Sequence, residues 1–185
     1  ACEVAARLGV NRVELCASPA EGGVTPSLAS IERVAQIPNL DLSVMIRPRG
    51  GDFLYSDDEF ETMLRDIAYA REAGATGVVF GILTADGRVD VERTRQLVEA
   101  SKGMETTFHR AVDMTADYEA AVEAVIEAGC NRILTSGSYD KAIDGIANIG
   151  RAVEIAKGRI EIMAGSGVVA ANAKQLAEVG VDALH

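Results

Sequence analysis

The chain has 185 residues, with 18 Lys and Arg against 28 Asp and Glu and a formal net charge of −10 at pH 7. That balance, without a basic run, argues against nucleic acid and anionic membrane surfaces as partners and leaves a small molecule or an ion. No apolar stretch reaches the roughly 20 residues that span a bilayer, and the three cysteines lack a CxxC spacing, so a cytoplasmic protein with reduced thiols is expected.

Length and even composition predict a single domain over 1–185. The Ala-rich opening segment reads as a helix ending at Gly9, followed by a strand near 12–16 that carries Glu14 and Cys16 on one side, and then by Glu21-Gly22-Gly23. A second strand, near 42–48, breaks at Pro48 and the Gly50-Gly51 pair, which places Arg47, Arg49 and Asp52 at its C-terminal end. A third strand is expected near 77–82. A fourth, near 105–110, delivers Thr107, His109 and Arg110 and then Asp113; a fifth, near 132–137, delivers Thr135, Ser136 and Gly137. The sixth, near 160–165, runs into Gly165-Ser166-Gly167, and the last, near 182–185, reaches His185.

Four junctions share a Gly after a helical segment and a β-rich run within a few residues, at Gly9, Gly74, Gly129 and Gly180. Strands alternating with helices at this spacing must be parallel, which leaves a doubly wound open sheet or an eight-stranded (β/α)8 TIM barrel. The opening helix calls for a strand before it, which would make eight strands, and the barrel is favoured. The chain opens at Ala1-Cys2-Glu3 without a Met and stops at Leu184-His185 within a strand, so both ends are read as trimmed.

In either fold ligands bind at the C-terminal ends of the strands, where both histidines, three arginines and a Thr-Ser pair are expected. One reading of these residues is an enzyme acting on a phosphorylated or carboxylated small molecule. His109 would carry protons with Glu14 as its partner and His185 as a second carrier, and Arg47, Arg49 and Arg110 would bind the anion. Gly165-Ser166-Gly167, at the start of a helix, offers N–H groups to a phosphate, and the bland alternative is a tight turn. Cys16 reads either as a thiolate for Cu(I) or as a small buried residue. Met45 and Met163 read either as thioether donors or, as is usual for strand methionines, as core filling, and Cys2 and Cys130 read as remote from the strand ends.

These motifs resemble the CutC family, named for copper homeostasis. The resemblance is carried by Arg12-Val13-Glu14-Leu15-Cys16, Glu21-Gly22-Gly23-Val24-Thr25-Pro26-Ser27, Ile46-Arg47-Pro48-Arg49-Gly50-Gly51-Asp52-Phe53, Phe108-His109-Arg110-Ala111, Ile133-Leu134-Thr135-Ser136-Gly137 and Ile162-Met163-Ala164-Gly165-Ser166-Gly167-Val168. It implies a cytosolic (β/α)8 barrel, a homo-oligomer such as a dimer or tetramer, and copper as the bound ion, with Cys16 as the metal residue acting together with Cys2, a first-strand cysteine or other donors. The family's first strand, often Cys-containing, has no counterpart here. Val112-Asp113 stands where the family usually has Phe-Asp.

Overall fold

The structure, a computed structural model, describes residues 1–185. It alternates helices and strands: α1 (Cys2–Arg7), β1 (Arg12–Leu15), α2 (Leu28–Ala35), β2 (Asp41–Met45), α3 (Asp57–Glu72), β3 (Gly77–Phe80), α4 (Val91–Ala100), β4 (Glu105–Phe108), α5 (Tyr118–Ala128), β5 (Arg132–Thr135), α6 (Ile146–Ala156), β6 (Glu161–Ala164), α7 (Ala170–Glu178) and β7 (Ala183–Leu184). Short 3-10 turns cover Pro19–Glu21 and Arg110–Met114. This is the α/β order of a TIM barrel, with seven strands of the eightfold pattern. Two compact units divide it, Ala1–Phe80 with Gln96–Thr106, and Gly81–Arg95 with Thr107–His185.

In the first unit β1, β2 and β3 pair in parallel, with Leu15 opposite Val44 and Met45 opposite Val79. Leu42, Val44 and Met45 are all buried, as a parallel strand covered on both faces requires. Helix α3 starts at a capping box in which Ser56 Oγ accepts from Glu59 N–H and the Glu59 carboxylate accepts from Ser56 N–H. Its apolar face, Phe60, Met63, Ile67 and Ala70, follows the three-and-four spacing of one helix side and is buried. Met63 and Ile67 are wholly covered, and each such burial contributes about 1.5–3 kcal/mol.

In the second unit β4 pairs with β5, β5 with β6 and β6 with β7, again all in parallel. Helix α5 buries Ala121, Val122, Val125 and Ala128, and α6 buries Ile149, Ala152 and Ala156. Gly129 closes α5 at φ 89°, a left-handed conformation that would strain any residue with a Cβ.

The strands stop short of their predicted C-terminal ends, and the local hydrogen bonds give the reason. The strand expected near 42–48 ends at Met45 because Arg47 N–H donates to Thr25 Oγ1 at 2.9 Å and Arg47 C=O accepts from Thr25 N–H at 2.9 Å, which takes the chain off the ladder. The strand expected near 105–110 ends at Phe108, where His109 Nδ1 accepts from Ala111 N–H at 3.2 Å and caps the Arg110–Met114 turn. Arg47, Arg49, His109 and Ser136 therefore lie in loops just beyond the strands, and Arg110 opens the 3-10 turn after β4.

Candidate functional site

In the first unit the C-terminal ends of β1 and β2 bring together Glu14, Cys16 and Met45. Cys16 is the residue after Leu15, and Met45 follows Val44, so the β1–β2 register sets the two side by side. Gly23 packs against both. A Cβ built on Gly23 would stand 3.2 Å from Cys16 Sγ and 3.6 Å from Met45 Cε. The Cys16 thiol is free and half-buried; burial raises its pKa, and the neighbouring Glu14 carboxylate raises it further. Met45 is buried, as core filling requires, and the sequence reading of it as a thioether donor did not pair it with Cys16; the cross-strand register is the signal that does.

Arg47 is 4% exposed. Its Nη1 donates to the carbonyls of Glu21 at 2.8 Å and Gly23 at 3.1 Å, its Nη2 donates to the Gly51 carbonyl at 2.7 Å, and its guanidinium lies 4.8 Å above the Phe53 ring centroid. Arg49 is held differently. It pairs with Glu59 at 2.5 Å and with Asp52 at 3.0 Å, and Nη2 donates to the Leu54 carbonyl at 2.8 Å. Hydrogen bonds from its guanidinium hold both carboxyls below the usual range, and the same bonds, to Glu59 first and then to Asp52, raise its own pKa. Glu59 was missed as a partner, although Ser56-Asp57-Asp58-Glu59 announces a capping glutamate.

In the second unit Arg110, Asp113, Thr135 and Ser136 form one network. Asp113 Oδ1 accepts from Thr135 Oγ1 at 2.6 Å and Ser138 N–H at 3.0 Å; Oδ2 accepts from Ser136 N–H, Ser136 Oγ and Arg110 Nε, each at 3.0 Å. Arg110 Nη2 also donates to Ser136 Oγ at 2.7 Å and to the Tyr139 carbonyl at 3.0 Å. The Tyr118 hydroxyl shares a hydrogen bond of 2.9 Å with Thr135 Oγ1, and burial raises its pKa strongly. Tyr118 and Tyr139 carried no motif in the sequence.

His109 is buried and its ring lies where a side chain on Gly81 would go, since a Cβ there would stand 2.5 Å from both Cε1 and Nδ1. Accepting from Ala111 N–H makes Nδ1 the unprotonated nitrogen of the neutral ring and places the proton on Nε2. Gly165-Ser166-Gly167 follows β6 as expected. Ser166 Oγ donates to the Asp140 carbonyl at 2.6 Å, Ala142 N–H donates to the Ser166 carbonyl at 2.9 Å, and Asn172 Oδ1 takes the Val169 N–H at 2.8 Å. His185, exposed, donates its N–H to the Ala164 carbonyl at 2.9 Å, and its Cβ lies 3.2 Å from where a Cβ on Gly165 would stand.

Cys2 sits on α1 and Cys130 is buried between α5 and β5. No three His, Cys, Asp or Glu side chains converge as a metal cluster. Cys16 Sγ and the Met45 side chain lie against the same glycine, and a thiol and a thioether are soft donors, which fit Cu(I) better than a hard or tetrahedral divalent ion. No helix is long and apolar enough to cross a membrane.

A family model described as the CutC family matches residues 1–185. A CutC family protein of Glaesserella parasuis serovar 5 is 52% identical over 169 residues, which cover 91% of this chain and 70% of that protein. A human copper homeostasis protein cutC homolog is 46% identical over 174 residues, 94% of this chain and 64% of that protein. Among solved structures, a CutC protein of Streptococcus agalactiae superposes with a TM-score of 0.90 at 38% identity, over 95% of this chain and 88% of that one.

Proposed function

The chain belongs to the CutC family of copper homeostasis proteins, and from that membership we propose that it takes Cu(I) as cargo at Cys16 in the cytoplasm, as a homo-oligomer. The observation that carries this reading is the placement of Cys16 Sγ and the Met45 side chain against the same glycine, Gly23, at the ends of adjacent strands. Thiolate and thioether together suit a soft monovalent cation. Glu14, close enough to raise the thiol pKa, adds negative charge that favours a cation. The thiol must lose its proton to bind, so affinity rises with pH, about tenfold per unit while the free thiol stays protonated.

Competition against a chromogenic Cu(I) chelator under anaerobic conditions tests this. One Cu(I) per chain is expected, with Cys16→Ser weakening binding about a hundredfold or more and Met45→Leu about tenfold. Undiminished affinity in Cys16→Ser would sink the assignment. Native mass spectrometry of the same samples reads the oligomeric state, expected as a dimer or tetramer.

A second reading, a small anionic ligand, is favoured by Arg110. Asp113 fixes its Nε and Ser136 and Tyr139 fix Nη2, so the guanidinium is preorganised while its side chain stays 39% exposed. Calorimetric titration with inorganic phosphate and with oxalate, in wild type and Arg110→Gln, is the check. Binding lost in the variant would support an anion site there, and no binding by wild type to either anion would remove it.

A further inference from the structure

We propose that Arg47 is a positioning residue that latches segment 21–24 over Cys16 and sets access to its thiol, an inference that rests on Cys16 being the cargo site. A buried guanidinium ordinarily meets a carboxylate. Here its hydrogen bonds go instead to three main-chain carbonyls on two loops, those of Glu21 and Gly23 after β1 and that of Gly51 after β2. Such charge-assisted bonds are the strong kind, and the planar fork lets one side chain hold both loops at once.

The segment it holds is thin. Gly22 and Gly23 have φ of 83° and 86°, and a Cβ on Gly22 would stand 3.2 Å from Arg47 Nη1 while one on Gly23 would stand 3.2 Å from Cys16 Sγ. Only glycine main chain therefore fits between the cation and the thiol. The base of the loop is tied separately, by reciprocal N–H···O bonds of 2.9 Å between Ala17 and Val24. The tip's other main-chain bonds are local, from Glu21 and Gly23 N–H to the Ser18 carbonyl and from Gly22 N–H to the Pro19 carbonyl. Arg47 is therefore what ties the tip to the loop after β2, and its loss would free the covering strip to move while the base stays paired.

The test is peptide-resolved alkylation of the folded, full chain with iodoacetamide, read by mass spectrometry at Cys16 and at Cys130. Buried Cys130 reports whether the second unit is intact, and an unchanged urea midpoint reports the same of the first. Arg47→Ala is expected to speed Cys16 labelling about tenfold or more and to leave Cys130 protected, because a freed loop opens far more often than the whole fold. Arg47→Lys keeps the charge without the fork and is expected to label as fast as Arg47→Ala. Wild-type protection of Cys16 in Arg47→Lys would overturn the latch, since charge alone would then suffice, and so would an unchanged rate in Arg47→Ala.

If Arg47→Ala exposes Cys130 or lowers the urea midpoint, Gly22→Ala decides, because its methyl would stand 3.2 Å from Arg47 Nη1 and press the tip and the guanidinium apart. Faster Cys16 labelling there supports the latch, and an unchanged rate overturns it. Alkylation needs no copper, so the two readings fail separately. A wild type that binds no Cu(I) ends the cargo assignment, whereas labelling indifferent to Arg47 ends the latch.

Discussion

Asp113→Ala is expected to destabilise the protein by about 3–5 kcal/mol, the cost of leaving a buried polar network with its central acceptor removed. The carboxylate, with its side chain 2% exposed, accepts five hydrogen bonds. Two of the donors are main-chain N–H groups, of Ser136 and Ser138, which hold the turn after β5. A third is Arg110 Nε, which would lose its salt bridge. Asp113→Asn should be nearly as damaging, because its amide keeps one acceptor oxygen and turns two N–H donors toward groups that already donate. Urea unfolding followed by far-UV circular dichroism measures the loss, and a change under about 1 kcal/mol would show that water or rearrangement satisfies the donors.

Gly145→Ala is expected to cost about 3 kcal/mol or more, and here the cause is purely steric. Gly145 has φ −93°, which any residue adopts. Its Cβ would overlap the Ser136 carbonyl oxygen and come within 3.1 Å of Gly137 Cα, and a Cβ on Gly137 would in turn overlap the Gly145 carbonyl oxygen. Main chain crosses main chain at this point, so no side chain can rotate away. Gly150→Ala is the control. It lies inside α6, its Cβ would meet nothing nearer than 3.9 Å, and it should stabilise by about 0.5–1 kcal/mol through helix propensity. Thermal melts of the pair should therefore move in opposite directions.

Much of the architecture was legible in advance. Gly9, Gly74, Gly129 and Gly180, read as helix ends, all adopt positive φ, and each of the seven predicted strands has a counterpart. Their C-terminal limits were less legible, since Thr25 and Ala111, which take the chain off the ladder or start a turn, are unremarkable residues in a linear reading. The site was legible as a set of residues at strand ends and not as a set of contacts. Arg47 and Arg49 share a motif and a parity, yet one is sunk among carbonyls and the other lies between two carboxylates.

Readable from the residues alone were the parallel βα order, the positions of the turn glycines, the absence of a helix able to cross a membrane, and which polar side chains arrive beyond each strand. These depend on periodicity and backbone preference within a few residues, which a linear string records. Packing in three dimensions set Met45 beside Cys16, surrounded Asp113 with donors from β5 and its turn, and bonded Arg47 to the carbonyls of the loop that lies against Cys16. Each of those contacts joins segments some twenty or more residues apart, and its existence turns on strand register and on which main-chain carbonyls lie within a guanidinium's reach. Register and reach are properties of the packed chain, because hydrogen bonds and close contacts change over fractions of an ångström that no local pattern specifies.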